Sequence, residues 1–324
     1  MIRHYSDRGE NVPADAFGIT LMDAEDLVTI REESSLPENA DTIHHEQRSI
    51  NSQLDTAKNA RERGGSTGWL GKDVASWEDA YALLNQGWEE GAHKTTALAI
   101  ELDGKVRAHE GFRRRVHRAD YGEELCADRA VRGEWDTAWS TMQRKRVAGA
   151  SNIVTLGCAF GANSHIDAES MFWCGAQMIV IADFLENAGY QTEIIGLANT
   201  RHGKPGGMEK HGHKSVYCNY LSAIYAKRAG EPLRVDLLAS VFANAGLFRT
   251  LCFEMFLRSR CFVGYGIGSS DCSVGALTLA TGKAAAADML PEIDVIVGSA
   301  YDRDTAVKNI IATINAVTRE EAVA

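Results

Sequence analysis

The sequence lacks the closely spaced cysteine pairs that mark disulfide frameworks and zinc sites. Its seven cysteines are scattered along the chain, no Cys-x-x-Cys motif occurs, and several of the seven lie inside apolar runs. Short, regular cysteine spacing is the usual signature of both kinds of site. The scattered pattern therefore predicts reduced, buried cysteines of a cytoplasmic protein.

The sequence also has few features of a secreted, membrane-bound or nucleic-acid-binding protein. Residues 1–10 contain no apolar segment of the kind found in secretion signals, and we expect no apolar run long enough to span a membrane. The net charge of −10 argues against nucleic acid as a main partner, because contacts with phosphate need a basic surface. We therefore expect a cytoplasmic protein that has no membrane partner.

Several motifs that mark well-known active sites are absent as well. Neither a Walker A lysine motif nor a Gly-x-Ser-x-Gly nucleophile motif occurs in the chain. The segment "GCAFG" has glycines at 157 and 161 but lacks the third glycine of a dinucleotide-binding fingerprint. These absences weaken any assignment to the nucleotide-binding enzymes or to the serine hydrolases.

The distribution of apolar residues divides the chain into three regions. Residues 1–65 contain few large apolar side chains, and we expect a polar arm or peripheral helices that need a partner surface. Residues 66–150 mix helix and strand patterns, which predicts an accessory α+β region. Residues 151–324 have the alternating strand and helix pattern of an α/β domain.

The accessory region contains one well-marked helix. Ser76 followed by Asp79 resembles a capping box, apolar residues then recur at helical spacing, and Gly87 is suited to the end of the helix. Further along, residues 126–150 predict a helix, a turn at Gly133 and a second short helix.

The clearest pattern in the chain begins at residue 151. "SNIVTLGCAF" predicts a buried strand, and "DAESMFWCGAQMIVIADFLENAG" predicts a long buried helix that Asp167 or Ser164 caps and Gly189 ends. "YQTEIIGLANT" predicts a second strand. A strand, a helix and a strand at this spacing indicate a parallel crossover.

The remaining pattern completes an α/β domain. We expect a strand up to a turn at Gly230, two helices divided near Gly246, a glycine-rich loop, and a third buried strand in "EIDVIVGSA". A last helix begins at Asp302 or Asp304. The predicted fold is a largely parallel central sheet flanked by helices, with an N-terminal accessory α+β region.

Polar residues follow the predicted strands at their carboxyl ends, where open α/β sheets bind ligands. Each acid or hydroxyl in this set also has a simpler interpretation as a helix cap or as part of a mobile loop. The candidates for binding a ligand or an ion are Asn163, Ser164, Asp167, Ser270, Asp271, Asp302 and Asp304.

Three histidines form a second, weaker candidate site. His202, His211 and His213 lie in one glycine-rich loop, and a His-x-His pair can bind a transition metal. Histidines on a loop without a rigid scaffold are more often solvated. The sequence therefore predicts no specific cofactor.

Two parts of the chain resemble an uncharacterised group of phage-encoded proteins. The resemblance rests on "SWEDAYALLNQGWEEG" and on "RGEWDTAW" followed by "GAQMIVIADFLENAGYQTEI", and it extends over residues 66–318. It implies a phage origin and a Rossmann-like domain similar to the von Willebrand factor A fold. That fold binds Mg²⁺ or Ca²⁺ through an Asp-x-Ser-x-Ser motif at the first turn, which is absent here.

These observations leave three hypotheses for function. The first is a non-enzymatic phage interaction or assembly protein, in which a von Willebrand factor A-like domain with a degenerate metal site binds other proteins or a second copy. The second is an enzyme or small-ligand binder at the carboxyl edge of the sheet. The third is a nucleic-acid accessory protein of phage replication or transcription, using "RRRVHR" at 113–118 and "RKR" at 144–146.

Overall fold

The computed structural model of the protein describes residues 3–6, 15–34, 40–103, 105–106, 114–119, 124–125, 127–133, 135, 138–144, 153–163, 165–203, 217–257, 269–270 and 272–320. Within these residues, seven strands form one sheet and three short strands form another. The strands are β1 (Arg3–Ser6), β2 (Asp15–Asp23), β3 (Arg114–Ala119), β4 (Glu124–Leu125), β5 (Trp139–Arg144), β6 (Ile153–Ala159), β7 (Gln191–Gly203), β8 (Tyr217–Lys227), β9 (Ser269–Ser270) and β10 (Val295–Val297).

Helices flank the larger sheet. They are α1 (Asp26–Ser34), α2 (Ala40–Glu62), α3 (Trp77–Gln86), α4 (Glu89–Asp103), α5 (Ala127–Val131), α6 (Ala168–Asn187), α7 (Val235–Ala243), α8 (Ala245–Leu247), α9 (Phe253–Leu257), α10 (Val274–Ala286) and α11 (Arg303–Glu320). A π-helical turn at Phe248–Cys252 joins α8 to α9.

The larger sheet has the strand order β1-β2-β8-β7-β6-β10, and the short strand β9 pairs with the end of β7. The pairs β2/β8, β6/β7 and β6/β10 are parallel, whereas β7/β8 and β1/β2 are antiparallel. The predicted α/β class with a mostly parallel sheet is therefore confirmed for the five strands from β2 to β10. Strands β2 and β8 nevertheless run opposite to the other three.

The crossover from β6 through α6 to β7 has the predicted form. Strand β6 is buried from its second residue onward. Asp167 caps α6 by accepting a hydrogen bond from the Ser170 amide at 2.7 Å, and Gly189 follows the helix with a φ of +97°. Strands β6 and β7 pair in parallel from Ile153/Gln191 to Ala159/Leu197. The sequence located this unit because each of its signals is local.

Residues 1–65, expected to form a polar arm or peripheral helices, contain helices α1 and α2 and also contribute strands to the larger sheet. Strand β2 pairs with β8 along its whole length, and Ile19 and Met22 are fully buried. Helix α2 contributes Ile50 and Leu54 to the main hydrophobic core. The low apolar content hid this because one strand and a few apolar residues of α2 make the contact. The boundaries at 65 and 150 stay predictions.

Three further local features bear on the predictions, of which one is wrong. The second short helix after Gly133 is instead strand β5, which pairs with β3 and β4. The predicted division of two helices near Gly246 is confirmed: it lies at Asn244, whose side chain accepts a hydrogen bond from the Leu247 amide and caps the next helix. Helix α10, which Ser273 caps, was not predicted at all.

The basic segments at 113–118 and 144–146 lie partly in the smaller sheet. Strands β3 and β5 pair in antiparallel register, with Arg114 opposite Arg144. Residues 113, 145 and 146 lie outside the described residues. The nucleic-acid hypothesis that rests on these segments stays a prediction.

Helices cover the two faces of the larger sheet unequally. The main core joins one face to helices that include α3, α4, α6, α7 and α11. On the other face, a smaller cluster packs against α10, with Leu277, Ala280 and Ala284 buried. Helix α6 therefore lies between the sheet and an outer layer to which α4 and α11 belong.

Helix α6 also corrects the expectation about membrane-length apolar runs. By length and composition it can cross a membrane, and its best 18-residue window has a hydropathy of 1.2. However, 72% of that window is buried inside the protein, as in the core helix of a soluble protein. Among the described residues, α7 and the segment Ala245–Met255 pass the same test only as a pair bent by 56°. The cytoplasmic location stays a prediction.

Candidate functional site

The turn after β6 is anchored in the main core. Phe160 is fully buried and contacts the rings of Phe242 and Phe248 edge to face, each at a centroid distance of 5.5 Å. Its amide donates a hydrogen bond to the Leu197 carbonyl of β7 at 3.1 Å. The first residue of this candidate ligand turn is therefore part of the packing and not of a cavity.

A buried arginine holds the rest of the same turn. Arg249, on the π-helical turn, is fully buried and donates hydrogen bonds to the carbonyls of Trp69 and Ile166, with a longer contact of 3.4 Å to the Asn163 carbonyl. Its guanidinium also lies 5.0 Å from the centroid of the Trp69 ring. Burial lowers the pKa of Arg249 to about 10, and the negative charge of Asp167 opposes that shift.

This arrangement argues against a cation site at the turn. A Mg²⁺ or Ca²⁺ ion binds through oxygen ligands, and backbone carbonyls are common among them. Here the carbonyls of Asn163 and Ile166 already face a fixed positive charge that the protein itself supplies. A second cation at these oxygens would be repelled by Arg249.

The acids at the carboxyl edge act as helix caps. Hydrogen bonds from the Ser170 backbone hold the pKa of Asp167 below its usual value. Asp302 accepts hydrogen bonds from both the amide and the hydroxyl of Thr305, each at 2.8 Å, and the backbone bond lowers its pKa. Asp304 is exposed in the first turn of α11. Among these acids, the structure gives Asp167 and Asp302 the capping role that the sequence also allowed.

The remaining candidates lie wholly or partly outside the described residues. Ser164, Asp271, His211 and His213 lie outside them. Only the backbone of His202 is described, near the end of β7. Ser270 is likewise described only by its backbone, where β9 pairs with Thr200 of β7. Within the described part of the chain, no group of three or more His, Cys, Asp or Glu residues could hold a metal ion.

The turn after β6, the segment at Cys272 and the turn after β10 are connected at the carboxyl edge. The residues that connect them were not among the predicted candidates. The Tyr301 hydroxyl donates a hydrogen bond to the Gly161 carbonyl at 2.9 Å and so joins the turn after β10 to the turn after β6. The Ser299 amide and hydroxyl donate to the Cys272 carbonyl at 3.3 and 3.2 Å. These contacts join turn to turn, so the groups that form them are engaged within the protein.

A second buried polar connection lies beneath these turns. The Gln177 side chain, 1% exposed, donates to the Gly298 carbonyl at 2.7 Å and accepts a hydrogen bond from Asn309 at 2.9 Å. It therefore ties α6 to the turn after β10 and to α11. A glutamine inside the long apolar helix is the sequence signal that could have located this contact.

The cysteines near this edge are not activated nucleophiles. Burial raises the pKa of Cys174 to about 12, and it raises the pKa of Cys158 well above the ordinary value. The Cys174 thiol donates to the Ala159 carbonyl at 3.1 Å. A reactive cysteine needs a stabilised thiolate and access to solvent, and these thiols have neither.

The Tyr301 contact predicts a pH dependence of stability. Burial raises the pKa of Tyr301 to about 12. In the unfolded state the side chain ionises near its ordinary pKa of 10.0, so the unfolded state loses this proton at a lower pH than the folded state does. The contribution of Tyr301 to stability is therefore fully present below pH 10.0 and is lost as the pH rises towards 12. As the pH rises from about 9 to about 11.5, the free energy of unfolding should fall less for Tyr301→Phe than for the native protein, because the variant has no group that ionises at this position. Urea unfolding across this range measures the difference, and identical pH slopes would contradict the prediction.

Comparison with known proteins places the chain in a family. A family model described as a domain of unknown function, DUF7192, matches residues 29–314. The chain belongs to the DUF7192 family. No curated protein and no solved structure matches the chain. The match begins within α1 and ends within α11, so the DUF7192 region includes much of the N-terminal segment as well as the α/β part.

The DUF7192 chain has an open groove away from the carboxyl edge, between α4 and α6. We refer to it as the α4–α6 groove. Its cavity volume is about 450 Å³, within the range of ligand and side-chain binding pockets. Its lining residues are Thr96, Ala99, Ile100, Asp103, Val106, Asp183, Phe184, Asn187 and Ala188.

The groove combines an exposed apolar side chain with a buried apolar floor. Ile100 is 72% exposed, more than any other large aliphatic side chain of a described helix except Val131 of α5, which is 88% exposed. Phe184 and Val106, beside it, are buried. A single exposed isoleucine on a protein surface is ordinary. An exposed isoleucine at the edge of a cavity with apolar walls instead forms part of a larger apolar surface that a partner can contact.

Two carboxylates border the same groove without a described cation partner. Asp183 is half-buried and accepts a hydrogen bond from the Asn187 amide group at 3.2 Å. Burial raises the pKa of Asp183, and the charge of Glu186 adds to that shift. Asp103 is exposed at the end of α4 and forms no ion pair among the described residues. The lining of the groove therefore contains two acidic side chains as well as apolar ones.

Proposed function

We propose that this protein is a non-enzymatic interaction protein that binds another protein through the α4–α6 groove. The observation that supports the proposal most is the pairing of an exposed Ile100 with a cavity of about 450 Å³ on an otherwise well-packed helical layer. Protein-binding surfaces commonly combine an apolar centre with a polar rim. The lining of this groove contains both apolar and polar residues.

The carboxyl edge gives weaker support to the enzyme or small-ligand hypothesis. The described polar groups there are joined to one another, as Tyr301 is to Gly161 and Asp302 is to Thr305. A catalytic site needs side chains that remain available to a substrate. The interaction hypothesis is therefore the better supported of the two on the described residues.

The finer parts of the proposal rest on sequence resemblance. A von Willebrand factor A-like domain with a degenerate metal site is supported by the parallel unit β6–α6–β7 and by the Arg249 contact at the turn where that fold would bind its ion. The phage origin rests on the resemblance alone.

Site-specific photocrosslinking tests the proposal. Ile100 is replaced by benzoylphenylalanine, and the variant is irradiated in an extract of the source cells. The matched control carries the same group at Leu279 of α10, an apolar helix residue that is 62% exposed and lies outside the groove. We expect a discrete adduct with another protein molecule from position 100 and none from position 279.

The outcomes of this experiment separate the alternatives. Adducts of equal yield from both positions indicate nonspecific contact and would contradict the proposal. An adduct within the same chain shows that the protein fills its own groove, which also contradicts it. The absence of any adduct from position 100 has the same consequence.

A further inference from the structure

The charges around the α4–α6 groove identify the kind of partner that it would bind. The nearby basic side chains contact acids outside the lining of the groove, and two cations share each acid, since Lys72 also pairs with Glu90. Lys105 lies 3.2 Å from Glu101, Arg303 pairs with the same carboxylate, and Lys94 lies 2.8 Å from Glu90. None of these cations forms an ion pair with Asp103 or Asp183, so among the described residues both groove carboxylates lack a basic partner of their own.

The apolar walls restrict the partner further. A lysine or arginine side chain has an aliphatic stem that can lie along apolar surface while its charged end meets a carboxylate. In this groove, Ile100 and Phe184 would contact the stem, and Asp183 would accept hydrogen bonds from the charged end. A half-buried carboxylate gains more from such a partner than an exposed one does, because solvent screens it less.

We infer that the α4–α6 groove binds a basic amphipathic helix of a partner protein, with a lysine or arginine beside Asp103 and Asp183 and apolar residues on Ile100. The inference rests on the proposed function and adds the chemistry of the partner. Helices α4 and α6 pack against each other, and the groove between them suits a third helix.

The charge of the whole chain supports a different protein over a second copy. The net charge is −10, so two copies repel each other at long range, whereas a basic partner is attracted. Complementary charge also raises the rate of association. In a symmetric dimer formed through this groove, the second copy would bring its own Asp103 and Asp183 close to the first.

Isothermal titration with defined peptides tests the inference on the full-length protein. The probe is a synthetic helical peptide of about 18 residues with leucines on one face and lysines beside them, a length that allows helix formation. A control peptide has glutamine in place of every lysine. We expect the lysine peptide to bind roughly tenfold more tightly than the glutamine peptide, since removing a charge partner weakens an interfacial ion pair.

Variants of the protein locate the binding. Asp183→Asn and Ile100→Ser should each weaken binding of the lysine peptide roughly tenfold. Asp304→Asn and Leu279→Ser, which change an exposed acid and an exposed apolar residue elsewhere, should leave it unchanged. Thermal melting of each variant confirms that it is folded.

Three results would overturn the inference. They are no binding of the lysine peptide, equal binding of both peptides, and an equal effect of Asp304→Asn and Asp183→Asn, which would indicate only long-range attraction to an acidic protein. If position 100 still crosslinks to a partner in extract, these results reject the basic helix while the proposed function stands. If both experiments fail, the groove has no binding role.

Discussion

Gly175→Ala should destabilise the protein by roughly 3 kcal/mol, the upper end of the cost of overpacking a core. A Cβ at position 175 would lie 2.3 Å from the carbonyl carbon of Phe242 and 2.5 Å from the Ala243 amide nitrogen. These are backbone atoms of α7, so no side-chain rotation relieves the contact. Helices α6 and α7 would have to separate, although both are buried along this interface.

A matched glycine controls for the effect of alanine on a helix. Gly282 lies in α10 and is exposed, and an added Cβ there would meet nothing within 4 Å. Gly282→Ala should therefore stabilise the protein by about 0.5–1 kcal/mol, through the reduced entropy of the unfolded chain. Urea denaturation measures both variants. A Gly175→Ala protein as stable as the native one would show that α6 and α7 are not in close backbone contact.

Arg249→Met should destabilise the protein by roughly 3 kcal/mol, because buried carbonyl groups lose their donors. Methionine keeps the length of the apolar stem but cannot donate to the carbonyls of Trp69 and Ile166, which accept from Arg249 in the native protein. Removal of a buried charge relieves some cost of desolvation, which the lowered pKa of Arg249 reflects. That relief is smaller than the loss, because two unpaired carbonyls cost about 1–3 kcal/mol each.

An exposed arginine provides the control for Arg249. Arg234 pairs with Asp236 at 2.8 Å, and its side chain is 54% exposed. Arg234→Met should change the free energy of unfolding little, since exposed ion pairs contribute little to stability. Equal stabilities of the two variants in urea would contradict the structural role of Arg249.

The parts of the fold that sequence predicts well are those with local signals. The cap at Asp167, the apolar helix that follows it and the strands on either side are contiguous, and all were predicted. Ser76 likewise caps α3 by accepting from the Asp79 amide at 3.1 Å. Capping and periodicity depend on residues a few positions apart, which a single sequence shows directly.

The parts that sequence missed depend on distant residues. Strand β2 pairs with β8 about 200 positions away in the chain, as Thr20 does with Ser222, and its own pattern is short. Arg249 reaches Trp69 and Ile166 across gaps of 180 and 83 positions. The sequence signal of this contact is the single arginine within the apolar run "LFRTLCFEMF". A charged residue at a buried helical position needs hydrogen-bond partners, but the sequence does not show which residues supply them.

The candidate site shows the same division between local and distant information. The sequence placed Asp167 and Asp302 at the carboxyl edge, and it also provided the capping explanation that the structure supports. The groove between α4 and α6 could not be predicted, because Ile100 and Asp183 are 83 positions apart and neither belongs to a recognisable motif. Only the packing of α4 on α6 brings them together.

Amide hydrogen exchange of the protein, alone and with the partner captured through position 100, tests the central claim most directly. If the α4–α6 groove is the binding surface, the partner should slow exchange in α4 and in the last turns of α6, while α10 on the opposite face of the sheet remains unchanged. Slower exchange confined to α10 or to the carboxyl edge, with α4 unaffected, would contradict the claim that this groove binds the partner.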